Sequence, residues 1–152
     1  MRIIIAILTL TLLPIAWARP EAADKSIVIH QEIDFTVSPQ RIYEALLDAN
    51  QFAAFSGREA QINPEVGGAF SLFKGHIIGR NLELLPNQRI VQGWRVVTWP
   101  AGAYSIARFE LNPQGSGTHL VFDHVGFPEG LRDHLAEGWG ENYWSLLKKY
   151  LH

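Results

Sequence analysis

Cysteine is absent from the chain. That excludes disulfides, thiolate metal centres and thiol nucleophiles, so stability must come from the packed core. Charge is scarce too: Asp, Glu, Lys and Arg make up 18% of the residues and the formal net charge is −2. With no basic stripe along the sequence, nucleic acid is not an expected partner. No Gly-x-Ser-x-Gly elbow, phosphate loop or paired carboxylate motif occurs. The six histidines lack ligand spacing. His119 and His124, on one strand, fall on opposite faces, His30 faces outward, and His134 lies on a helix. No catalytic residue, metal or cofactor is therefore expected. There are no internal repeats and no low-complexity stretch.

Aromatic residues are plentiful, with five Trp, four Tyr and eight Phe in 152 residues. They can fill a core or line a cavity. The first apolar run is Ile3–Leu13, after a minimal basic start at Arg2, and Pro14 breaks it. Ala16-Trp17-Ala18 then fits a small-x-small cleavage site. Residues 1–18 read as a signal peptide, with Arg19 as the mature N-terminus, 19–26 as a linker and 27–152 as one domain. The alternative for the first segment is an uncleaved anchor. The run is short for a membrane span. The processed chain is expected to be exported, periplasmic or secreted, with no stable span.

From Ile27 the pattern becomes regular. Ile27, Ile29, Ile33 and Phe35 alternate with His30, Glu32 and Asp34, the period of a half-buried strand. Ser38-Pro39 reads as an N-cap and first helical residue. Ile42, Leu46 and Leu47 make that helix's apolar stripe, and a second short helix carries Phe52 and Phe55 up to Gly57. Short strands follow at 60–63, 69–73, 76–84, 90–97, 104–111 and 118–125, divided by Gly, Pro and Asn. A six-residue loop, 112–117, is expected between the last two, with Leu111 paired to Thr118. The closing helix, 131–151, repeats Leu131, Leu135, Trp139, Tyr143, Leu146 and Tyr150. Gly138 and Gly140 inside it suggest close approach to the sheet. The fold class is α+β, a helix-grip: a curved antiparallel sheet of six to seven strands around a long C-terminal helix.

Several polar residues interrupt inward faces. Gln31 does so on the first strand, Arg80 among Ile78, Leu82 and Leu84, Gln92 between Ile90 and Trp94, and His124 after Leu120 and Phe122. Buried polar groups without partners cost a few kcal/mol each. Either they satisfy one another or they line a pocket, apolar with a few convergent polar groups. The pocket candidates are Phe70, Arg80, Gln92, Trp94, Ser105, Phe109, Phe122, His124, Trp139 and Tyr143. The expected register sets Ser105 opposite His124. The hydroxyl would then hold one ring nitrogen and leave the other for a ligand or a water.

The string from Gly67-Gly68-Ala69-Phe70 through Lys74-Gly75-His76 to Gly79, then Glu83-Leu84, Pro86-Asn87, Trp94-Arg95, Trp99-Pro100 and Glu137-Gly138-Trp139, resembles a known domain. It is similar to the C-terminal domain of the activator of the heat shock protein 90 ATPase, in the START-like (SRPBCC) superfamily. The likeness runs from Ile29 to Leu151. It implies the same helix-grip, and it implies binding of an apolar small molecule between sheet and helix. A protein-interaction module with a chaperone-cofactor role is the alternative, with a possible protein partner. A cyclase- or hydrolase-like enzyme is the third reading, which needs an acid–base pair that only His124 and a neighbour could supply. A ligand binder should have a closed apolar cavity. An interaction module should have a filled core and an exposed apolar patch.

Overall fold

The computed structural model describes residues 27–152. The signal-peptide and linker segments fall outside the described residues. β1 (Val28–Phe35) leads into α1 (Pro39–Leu47) and α2 (Ala49–Ser56). Six strands follow: β2 (Gln61–Ile62), β3 (Ala69–Leu72), β4 (Ile77–Leu85), β5 (Arg89–Val96), β6 (Ser105–Gln114) and β7 (Gly117–Val125). The chain closes with α3 (Arg132–Trp139), a π-helical turn (Gly140–Trp144) and α4 (Ser145–Leu151). All strand pairs are antiparallel, in the order β1-β7-β6-β5-β4-β3-β2. This is the expected helix-grip, with seven strands. No helix among the described residues is long and apolar enough to cross a membrane.

The helices begin and end where local chemistry requires. Pro39 at the first position of α1 gives up an N–H that has no intrahelical acceptor there. Asp48 caps α2 by accepting from the Gln51 N–H at 2.8 Å, and Gly57 ends it with φ 68°. Ile42, Leu46, Leu47, Phe52 and Phe55 are buried against the sheet and the C-terminal helix.

The C-terminal rod stays right-handed helical through its middle, with Trp139, Gly140, Trp144 and Ser145 all in the α region. Its centre widens by one residue, so the Ser145 N–H reaches the Gly140 carbonyl. A regular α-helix would swing residues five apart to different faces. Here Trp139 and Trp144 stack, centroids 5.8 Å apart and planes 20° apart. The extra residue also resets the stripe. Leu147 and Leu151 are buried, and Tyr150, expected inside, is 37% exposed. Leu131 and Leu146 pack only partly buried against the core.

Two expectations about the sheet are corrected. The first is the β6–β7 register. Leu111 pairs with Leu120, Phe109 with Phe122 and Ala107 with His124, and a two-residue turn, Gly115-Ser116, replaces the six-residue loop. Pro113 suggested that loop, yet it sits in the strand at no cost. The Leu111 N–H donates to Gln88 on the β5 side. Two residues further on β5 has ended, so the missing N–H of Pro113 has no acceptor to lose. The second correction is the inward face of β4. Ile77 and Asn81 are buried, whereas Arg80 is exposed and Leu82 is 50% exposed. A bulge between Asn81 and Glu83 changes the phase, so only Leu84, paired with Ile90, follows the expected alternation.

Gly79 on β4 is a steric requirement. A Cβ there would lie 2.1 Å from the Gly93 carbonyl oxygen and 2.3 Å from the Phe70 ring. Gly138 and Gly140 are different. A Cβ at Gly138 would meet nothing closer than 3.9 Å, and one at Gly140 nothing within 4 Å. Close approach to the sheet is therefore not their reason.

Candidate functional site

The space between sheet and helix is filled with rings. Phe122 lies 4.3 Å from Trp139, Tyr143 lies 4.2 Å from Trp139, and Phe109 lies 5.0 Å from Phe122, centroid to centroid. A closed apolar cavity was expected of a ligand binder, and these rings occupy its place.

His124 sits inside this packing, fully buried. The two-residue correction in register does not separate it from Ser105. The pair becomes a diagonal neighbour on the same face, within reach of the side chains. Ser105 Oγ is 2.6 Å from His124 Nε2. On the other side, Trp139 Nε1 donates to His124 Nδ1 at 3.0 Å. An indole N–H can only donate, so Nδ1 carries the lone pair and Nε2 the proton. Nε2–H donates to Ser105 Oγ, whose own hydroxyl donates to the Trp94 carbonyl at 2.9 Å. From the Trp139 indole to the Ser105 hydroxyl, each of these polar groups has a partner. The expected free ring nitrogen does not exist, because Trp139 occupies it. Burial lowers the His124 pKa from 6.5 to about 3, which removes it as a general acid–base group near neutral pH.

The other inward polar residues also pair. Gln31 donates to the Ala136 carbonyl at 3.0 Å and accepts from the Trp144 indole at 2.7 Å. Gln92 donates to the buried Asn81 side chain at 3.0 Å, and Asn81 donates to the Asn63 carbonyl at 2.9 Å. Arg80 points away and donates to the Gly67 carbonyl at 2.9 Å, so its placement on the inward face is corrected. The bulge that brings Asn81 inside turns Arg80 out.

An open cleft of about 300 Å³ lies where the β3–β4 turn faces the C-terminal helix. Of the sequence-predicted pocket residues, Trp94, Trp139 and Tyr143 line it. Ser105, Phe109, Phe122 and His124 belong to the packed core, while Gln92 bonds to Asn81 and Phe70 lies against Gly79. The cleft also uses Arg58, Phe73, His76, Ile77 and Val96, and from the helix His134, Leu135, Gly138 and Asn142, none of which the sequence reading placed in a site. A signal for the helical wall was present: His134, Gly138 and Asn142 recur every fourth residue, beside Leu135, Trp139 and Tyr143. Gly138 is the gap in that wall.

Two features set the cleft apart. Phe73 and Lys74, at its edge, hold φ of 53° and 62°. A bulky residue in the left-handed region is uncommon and costs energy. The turn thereby presents the Phe73 ring edge-on to Tyr143 at 5.4 Å. The second feature lies in the wall, where Trp94 Nε1 and Tyr143 Oη are buried without a partner at hydrogen-bonding geometry among the described residues. Burial raises the pKa of the Tyr143 hydroxyl, and the nearby Trp94 N–H offsets only part of that rise. The Tyr143 hydroxyl is therefore neutral, and its proton has no acceptor.

The family model described as Activator of Hsp90 ATPase homolog 1-like protein matches residues 36–152, in keeping with the resemblance carried by the 67–79 string. A Schizosaccharomyces pombe protein described as uncharacterized is 32% identical over 127 residues, covering 84% of this chain and 38% of that protein. The activator of 90 kDa heat shock protein ATPase homolog of Dictyostelium discoideum is 31% identical over 116 residues, covering 76% of this chain and 30% of that protein. The chain thus spans well under half the length of these relatives. Among solved structures, the HSP90 activator from Plasmodium falciparum superposes with a TM-score of 0.79 at 26% identity, over 83% of this chain and 96% of that one. The Aha1 dimer from Colwellia psychrerythraea superposes at 0.70 and 21% identity, over 82% of this chain and 96% of that one, a likeness of fold.

Proposed function

The chain belongs to the Activator of Hsp90 ATPase homolog 1-like family, and from that premise we propose that it binds a small, largely apolar molecule in the cleft between the β3–β4 turn and the C-terminal helix. The observation that carries this reading is an open cleft walled by the rings of Phe73, Trp94, Trp139 and Tyr143, with Arg58 beside Phe73. The four rings would supply the apolar contact. The role is that of a binder rather than an enzyme, since the one buried histidine has both nitrogens engaged. We further propose that the protein acts after export, on the strength of Ala16-Trp17-Ala18 behind the apolar run.

Native mass spectrometry of the protein purified from its own host tests the binding. A small molecule should be retained by the wild type and lost from Gly138→Leu, which fills the cleft from the helix side. Retention of the same mass by both proteins would overturn it.

A second reading rests on a different face. Val125 and Ile106 pair across β7 and β6, Gly93 pairs with Ile106, and Leu82 lies over Gly93. Leu82, Ile106 and Val125 are exposed, so an apolar row crosses the outside of the sheet. Together with the relatives named as HSP90 activators, it supports a protein partner and a chaperone-cofactor role. A pull-down with purified chaperone, lost in Ile106→Asp, tests it; binding unaffected by that change removes this face from the reading.

A further inference from the structure

We propose that the ligand of the cleft carries an acidic group, held at the rim by Arg58. This rests on the cleft reading and adds the charge of the ligand. No Asp or Glu lines the cleft, whereas Arg58, His76 and His134 do. Aromatic walls alone would favour a cation, through the negative faces of the rings. That position is already taken: the Arg58 guanidinium carbon sits 5.9 Å from the centroid of Phe73. A second cation entering beside it would be repelled. Arg58 forms no ion pair among the described residues, so its fork of donors is open to a planar carboxylate. The rim thus offers charged hydrogen-bond donors and the wall apolar rings, and a ligand matching them is anionic, on an apolar, flat body.

Three matched probes test this: 2-naphthoate, its neutral amide and the (2-naphthylmethyl)trimethylammonium cation, titrated at low salt and followed by tryptophan fluorescence. The naphthoate should bind at least tenfold more tightly than the amide, and the cation more weakly than either. In Arg58→Gln the advantage of the acid over the amide should disappear. Arg58 is exposed, so this variant should fold as the wild type does. Gly138→Leu should abolish binding of the naphthoate and the amide. Its φ is ordinary and its Cβ has room, so helix propensity makes it no less stable. Equal binding of acid and amide, or an acid preference that survives Arg58→Gln, would overturn the acidic-group inference alone. No binding by any probe, or binding untouched by Gly138→Leu, would overturn the cleft reading and the inference with it.

Discussion

Acid should weaken this protein through His124, and the size of the effect follows from its neighbours. In the unfolded chain the ring takes up a proton near pH 6.5. In the folded protein that proton would have to enter at Nδ1, where the Trp139 N–H already points. Burial without a counter-charge holds the folded pKa at about 3. The folded pKa is the lower of the two, so the unfolded state binds the proton first as pH falls. Stability is thus fully present above pH 6.5 and is lost progressively between pH 6.5 and about 3. Each unit in that window costs about 1.4 kcal/mol, or roughly 3 kcal/mol by pH 4.5. His30 works with the opposite sign. Its hydrogen bonds to Asp123 and Glu32 raise its pKa, so its contribution is present below pH 6.5 and is lost as pH rises through the folded value. It is exposed and common to both proteins in the comparison, so it cancels. The assay is urea denaturation of wild type and His124→Gln at several pH values from 7.5 to 4.5. The amide of Gln can accept from Trp139 and donate to Ser105 without titrating. The stability difference between the two should be flat above pH 7 and should shrink by about 1.4 kcal/mol per unit below 6.5. Parallel curves would refute the burial argument.

Gly79→Ala should destabilise by about 3 kcal/mol or abolish folding, because its methyl meets the Gly93 backbone and the Phe70 ring; an unchanged urea midpoint would contradict the contact. Trp139→Ala should cost roughly 3–5 kcal/mol, and Trp139→Phe a smaller 1–3 kcal/mol, since it keeps most of the packing but strips Nδ1 of its donor; a Trp139→Phe midpoint equal to wild type in chemical denaturation would mean that the hydrogen bond contributes nothing. N-terminal sequencing of protein from the native host should begin at Arg19, and intact Met1 in a membrane fraction would contradict processing.

How far the fold could be read from the sequence varies with the range of the forces involved. The alternation from Ile29 to Phe35 and the stripe Ile42, Leu46, Leu47 are local, and both were legible. The β6–β7 register was misread by two residues because Pro113 looked like a loop. An even shift keeps every side chain on its face, so Phe109, Phe122 and His124 were still read as inward. β4 was misread more seriously. Its bulge exists to seat Asn81 against Gln92 and the Asn63 carbonyl, a long-range demand with no local mark. The widened turn at Gly140–Trp144 was equally hidden. Trp144 falls one place outside a regular stripe, and it is buried through its bond to Gln31, more than a hundred residues away, and its packing on Phe122 and Trp139. The cleft was the least legible feature. It is made by a missing side chain at Gly138 and by a strained turn at Phe73-Lys74, brought together by tertiary packing. Ser105, His124 and Trp139 were legible as a cluster, but Trp139 turns that cluster into a closed hydrogen-bond chain instead of an open site.

A high-resolution crystal structure of the protein purified from its own host will show whether the cleft is a binding site. Continuous non-protein density is expected beside Phe73, Trp94 and Gly138, with an acidic group at Arg58. A cleft holding only scattered water would contradict it.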